Sequence, residues 1–98
     1  MGVEVIKIDG VQINSKADFH RIIGEKLDFG PYYGHNADAL WDMLSSGMAG
    51  GMVIVWENSE RSKQVMGDDF YIIIRVFEKT KQRYLGKSDD LAFDYVLN

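Results

Sequence analysis

The sequence predicts an α/β fold built on a small parallel sheet. Met52 to Trp56 is a continuous apolar run, typical of a central strand that is buried on both faces. Strand-like and helix-like segments alternate along the chain in the order strand, helix, helix, strand, helix, helix, strand. Three strands separated by four helices favour parallel pairing with right-handed crossovers.

The first strand and helix are marked by alternation and capping. Val3 to Ile8 alternates apolar and charged residues, then meets the turn dipeptide Asp9-Gly10. Ser15, followed three residues later by Asp18, resembles a capping box that starts a helix. The apolar positions of that helix recur at helical spacing and are Phe19, Ile22, Ile23 and Leu27. His20 is expected on the helix surface.

A second helix is predicted from Ala37 to about Ser46. Gly30-Pro31 ends the preceding helix, because proline disfavours helical geometry in the residue before it. Asn36 is a suitable N-cap for the new helix, and His35 is expected in the loop before it. Gly47 to Gly51 should form a flexible connection to the central strand.

The second half of the chain is predicted as two helices and a strand. Glu57 to Met66 is weakly helical, with Val65 and Met66 offering some buried surface. Phe70 to Phe77 fits either a strand or a helical stripe. Asp68 and Asp69 as caps, with good helix formers up to Arg83, favour the helix. Leu91 to Leu97 should close the sheet.

Composition limits the class of protein. The 98 residues are expected to form one domain over 1–98, and 46% are hydrophobic. The net charge of -4 disfavours nucleic acid and anionic membranes and mildly favours a basic partner. The lack of cysteines fits a reducing compartment, and no secretory signal or membrane-length apolar run is visible. We therefore expect a soluble, cytoplasmic protein.

The second helix is predicted to have two different faces. At about 100° per residue, Asp38, Asp42 and Ser45 share one sector with Trp41 at its edge. The opposite side carries the apolar residues Leu40, Met43 and Leu44. Tyr32 and Tyr33 would rim the acidic sector. The helix dipole stabilises Asp38 near the N-terminus of the helix. Asp42 lies one turn further in and repels Asp38 at the i, i+4 spacing.

The same residues argue against an enzyme. A carboxylate pair for catalysis needs a pocket or a substrate between the two groups, and Asp38 and Asp42 lie one turn apart on an exposed face. His20 and His35 have no metal-ligand spacing, and no phosphate-binding glycine loop is present. We expect no enzymatic activity, no metal and no cofactor.

Two interpretations of the acidic sector remain open from the residues alone. It can be a protein-docking face, since acidic groups framed by Tyr and Trp suit a basic cleft. It can also be a solvated surface beside packing aromatics. An RNA-binding face is a weaker alternative, because Lys79, Lys81 and Arg83 form the only small basic cluster.

The stretch YYG-x-N-x-D-ALWD, Tyr32 to Asp42, resembles the signature of the barstar family, small bacterial proteins that bind and block secreted ribonucleases. The likeness extends from Val5 through Ser62-Lys63-Gln64 to Val76-Phe77. It implies a three-stranded parallel sheet flanked by about four helices, and an inhibitor or immunity protein acting on a ribonuclease with a basic active-site cleft. The partner-binding residues it implies, with neighbours of the same face, are Tyr32, Tyr33, Gly34, Asn36, Asp38, Trp41, Asp42, Ser45 and Ser46.

The sequence departs from the family pattern at three places. Lys79 stands where the family places a glutamate that faces the ribonuclease, and Gly47 stands where it has a tryptophan. Tyr84 to Asp90 is an insertion before the last strand. These departures imply a different cognate ribonuclease, or else a diverged interaction module whose target is not a ribonuclease.

Overall fold

The computed structural model describes residues 3–86 and 91–98 and contains the predicted three-stranded parallel sheet. The strands are β1 (Glu4–Asp9), β2 (Met52–Glu57) and β3 (Phe93–Leu97), in the spatial order β1-β2-β3. Ile8 pairs with Trp56, and Trp56 pairs with Leu97. The apolar run is therefore the central strand, as its composition predicts.

Two helices enter each crossover between strands, which confirms the predicted α/β class. They are α1 (Lys16–Lys26), α2 (Ala37–Met43), α3 (Ser59–Met66) and α4 (Asp68–Arg83). Ser15 caps α1 by accepting a hydrogen bond from the Asp18 backbone N–H at 3.3 Å. The Asp18 carboxylate reaches back to the Asn14 N–H at 2.9 Å, so the predicted capping box is present with its return bond shifted by one residue.

The core lies on one face of the sheet and is centred on Trp56. Its ring is fully buried and stacks on Phe19 of α1 with centroids 5.0 Å apart. Phe70 and Phe77 of α4 complete the aromatic cluster around it. The indole Nε1 donates to the Ser62 hydroxyl at 3.0 Å, so its one polar group is satisfied. This cluster fixes both α1 and α4 against the central strand.

The opposite face of the sheet is less covered than predicted. Side chains of β2 alternate between buried and half-buried, and Val5 and Val96 on the flanking strands are 55% and 42% exposed. The expectation that β2 is buried on both faces is therefore wrong. An apolar run gives strand position but does not report which face the helices cover.

Two local predictions also need correction. Gly67, with φ of 58°, precedes α4, so Asp68 and Asp69 occupy its first turn and do not cap it. They still favour the helix through its dipole. Val65 is 43% exposed, so only Met66 supplies the buried surface expected of α3. None of the helices in the described ranges is long and apolar enough to cross a bilayer.

Arg61 on α3 ties the connection after β1 to the rest of the fold. Its guanidinium donates to the carbonyl oxygens of Gly10 and Ile13, both at 2.8 Å, and to the Asn14 side chain at the same distance. Ile13 is fully buried, so the loop that carries it must be held in place. A side-chain cation thus replaces the backbone partners that a regular element would supply.

We expect Arg61→Ala to lower the free energy of unfolding by about 1–3 kcal/mol, because it leaves the partly buried carbonyl groups of Gly10 and Ile13 without their hydrogen-bond donor. Urea denaturation measures the effect. Arg21→Ala is the matched control: among the described residues, the exposed Arg21 forms ion pairs with Asp18 and Glu25. Its loss should change stability by about 0.5 kcal/mol or less. Equal effects of the two substitutions would contradict the assigned role.

Candidate docking face on helix α2

The N-terminus of α2 is fixed by its own cap. The Asn36 side chain accepts a hydrogen bond from the Ala39 N–H at 2.8 Å and donates to the Gly34 carbonyl at 3.2 Å. His35 between them adopts a left-handed backbone, with φ of 53°. A Cβ on Gly34 would lie 3.1 Å from that of Ala39, so the loop packs closely against the helix. The predicted cap and helix start are confirmed.

The helix has the two faces that its periodicity predicts. Leu40 and Leu44 are fully buried, while Asp38 and Asp42 are exposed one turn apart on the other side. Within the residues that the structure describes, neither carboxylate forms an ion pair. Two exposed carboxylates therefore project from the same side of one short helix. Met43, expected among the apolar residues, is only half-buried.

Trp41 joins α2 to α4 at the edge of this face. Its ring is half-buried against the core, and the Lys79 ammonium lies 4.3 Å from the ring centroid. This is cation–π geometry, in which the charge gains from the face of the indole. Lys79, singled out above for its reversed charge, is therefore in contact with a residue of the predicted face.

The C-terminal end of α2 is irregular and is held by α4 and the residue after it. Leu44–Met48 forms a wider, π-type turn that closes at Gly47, whose φ of 107° favours glycine. The Tyr84 hydroxyl donates to the Leu44 carbonyl at 2.8 Å, and Arg83 Nε donates to the Ser45 carbonyl at 3.3 Å. These two side chains donate hydrogen bonds to carbonyl groups at the end of the regular helix.

The two tyrosines that were predicted to rim the face lie in different environments. Tyr32 is 96% exposed, whereas Tyr33 is 8% exposed and packs in the core. The Tyr33 hydroxyl lies 2.7 Å from His20 Nδ1, and burial raises the pKa of the phenol. The prediction of a rim position for Tyr33 is therefore wrong, and its ring supports the loop from beneath.

His20 is buried, contrary to its predicted place on the helix surface. Only 2% of it is exposed, because Tyr33 folds back over α1 to cover the imidazole. Burial, reinforced by the charges of His35 and Lys16, lowers the pKa of His20 from 6.5 to about 4. The neutral imidazole is therefore the form that belongs to the native state.

The remaining predicted site residues lie at the two ends of α2. Gly34 and Asn36 are exposed at the N-terminal end of α2, and Ser46 is exposed at its C-terminal end, with Ser45 half-buried beside it. The Ser46 hydroxyl donates to the Met43 carbonyl at 2.7 Å. In the described part of the chain, no three His, Asp or Glu side chains converge as metal ligands.

Sequence reasoning missed Arg75 and misassigned Lys81. Arg75 lies on α4 at four residues before Lys79 and lines the groove beside Trp41. Lys81 points elsewhere and pairs with Asp94 of β3 at 3.1 Å. The four-residue spacing of Arg75, Lys79 and Arg83 could have predicted that Arg75 shares their helix face. Lys81 was grouped with Lys79 and Arg83 because it is close to them in sequence, although it lies on another face of the helix. Of the insertion, 87–90 lies outside the described residues.

Two comparisons with known proteins identify the family of the chain. The family model described as Barstar (barnase inhibitor) matches residues 3–97. The chain is also 32% identical over 77 residues to the "Putative ribonuclease inhibitor YrdF" of Bacillus subtilis (strain 168), covering 79% of this chain and 85% of that protein. The fold places the chain among small α/β proteins with a three-stranded parallel sheet flanked by helices. It belongs to the barstar family.

We expect the stability of the protein to fall as the pH drops from 6.5 toward 4. In that interval His20 binds a proton in the unfolded chain but stays neutral in the folded chain. A falling pH therefore favours the unfolded state. His20→Gln should be less stable at neutral pH but should show a flatter pH dependence. Thermal denaturation of the wild type and of His20→Gln across the interval tests this, and an unchanged slope in His20→Gln would contradict it.

Proposed function

We propose that this protein inhibits a ribonuclease by covering its basic active-site cleft with the acidic face of α2. The observation that carries the proposal is the pair Asp38 and Asp42, exposed and without an ion-pair partner among the described residues, on a helix that is fixed at both ends. Membership of the barstar family and the name of the Bacillus subtilis relative support a ribonuclease as the target class.

The inhibition involves no chemistry on the part of the inhibitor. A ribonuclease cleft holds RNA phosphates with cationic side chains, and Asp42 would take the place of one phosphate by accepting charge-assisted hydrogen bonds. Asp38 would add to the attraction and to the rate of encounter. Because the caps already fix the helix, little conformational freedom is lost on binding.

The flanking residues complete the proposed contact surface. Tyr32, Gly34 and Asn36 would lie against the partner at one end, and Ser45 and Ser46 at the other. Tyr32 is suited to this role because an exposed aromatic ring gives large contact area at small entropic cost. Tyr33 contributes by holding the loop from the core. A ribonuclease of the secreted or toxin type, blocked in the cytoplasm of the cell that makes it, would fit this immunity role.

A second candidate is an interaction module of the same fold whose target is not a ribonuclease. The observation that favours it is Lys79, a positive charge beside the acidic face at the position where the barstar family has glutamate. Co-expression distinguishes the two candidates. Protection of cells from a secreted ribonuclease encoded in the same genome supports inhibition, and failure to protect, with no complex recovered, supports the second candidate.

Asp42→Ala should weaken binding to the ribonuclease by about 2 kcal/mol or more, a magnitude borrowed from charged hot spots in protein complexes, the barstar complex among them. Calorimetry with barnase and with each purified secreted ribonuclease of the host measures the affinity. Glu60→Ala on α3 removes an exposed carboxylate that pairs with Lys63 of the same helix and should leave the affinity unchanged. An affinity that survives Asp42→Ala would remove Asp42 from the mechanism.

A further inference from the structure

Helix α4 carries a row of three cations beside the acidic face. Arg75, Lys79 and Arg83 follow one another at four-residue spacing, all exposed, and are called here the basic stripe. Residues four apart on a helix lie one above the other on the same side. Lys81, which pairs with Asp94, does not belong to the stripe.

The basic stripe is continuous with the α2 face. Lys79 lies over the Trp41 ring, and Arg83 donates to the Ser45 carbonyl, so both touch residues of the predicted contact surface. A groove of about 570 Å³ is lined by the stripe and Trp41, together with Glu78 and Gln82. A partner seated on α2 would therefore meet the stripe at the same time.

The fold itself does not account for these charges. Like charges four residues apart on a helix repel each other, so the stripe lowers helix stability. Only Arg83 lies in the last turn, where the helix dipole favours a cation. Among the described residues, none of the three forms an ion pair, and neither Asp38 nor Asp42 is paired with the stripe. The charges are presented outward.

We infer that the basic stripe and its groove receive an acidic segment of the same ribonuclease whose cleft is covered by α2; the inference rests on the proposed function. The partner then carries Asp or Glu residues beside its basic cleft, opposite Lys79 and Arg75. A ribonuclease whose cleft rim is basic throughout is repelled by the stripe. The docking face therefore carries both signs of charge, and the stripe selects among ribonucleases by repulsion as well as attraction.

Charge reversal in the complex tests the inference. Lys79→Glu and Arg75→Glu should each weaken binding to the host's purified secreted ribonuclease by about tenfold or more, as expected for a charge pair at an interface. Lys7→Glu is the matched control, since Lys7 is exposed on the sheet face away from the helices. Each acidic residue that borders the ribonuclease cleft is then replaced by lysine, one at a time. One of these ribonuclease variants should bind the Lys79→Glu inhibitor more tightly than it binds the wild-type inhibitor.

The outcomes separate this inference from the function on which it rests. If Asp42→Ala weakens binding while both stripe variants bind as well as wild type or better, the α2 face is correct and the acidic segment is wrong. If no host ribonuclease binds the wild-type protein, both fail. Binding of single-stranded RNA that is lost in Lys79→Glu, with ribonuclease affinity unchanged, would assign the stripe to nucleic acid and overturn the inference.

Discussion

The proposed docking face depends on how α2 is anchored, because a seven-residue helix is not stable alone in water. Asn36 fixes its first turn, Leu40 and Leu44 bury its inner side, and Tyr84 holds the carbonyl at its far end. Leu40 and Leu44 lie on the side of the helix away from Asp38 and Asp42, and the other two anchors act at its ends. The acidic face is therefore rigid, and the whole of it remains available to a partner.

Helix α4 provides both the support for α2 and the charge next to it. Phe77 packs in the core cluster around Trp56, while Lys79, two residues on, covers Trp41 from the outside. Lys79 thus lies over an aromatic ring and, within the described residues, forms no ion pair with Asp38 or Asp42. Acidic and basic groups then stand side by side on two packed helices, a surface that only a partner with the complementary arrangement can match.

Much of the fold follows from local patterns in the sequence, whereas the surroundings of individual side chains do not. Asn36 and the periodicity after it predicted α2 and its two faces, and the apolar run predicted the central strand. His20 and Tyr33 were misplaced because their contact joins a helix to a loop 13 residues later, which no local pattern reports. The contact of Lys79 with Trp41 is likewise tertiary. The family resemblance therefore indicated the reversed charge at Lys79, but not that its ammonium lies over the Trp41 ring.

The measurement that tests the account most directly is a competition at the ribonuclease active site. A mononucleotide that occupies the phosphate site of the ribonuclease and the α2 face should exclude each other. Calorimetric titration of this protein into a ribonuclease saturated with that nucleotide should therefore show a reduced apparent affinity, and full affinity should return when the nucleotide is removed. Undiminished binding to the saturated ribonuclease, forming a ternary complex, would contradict the claim that α2 covers the active site.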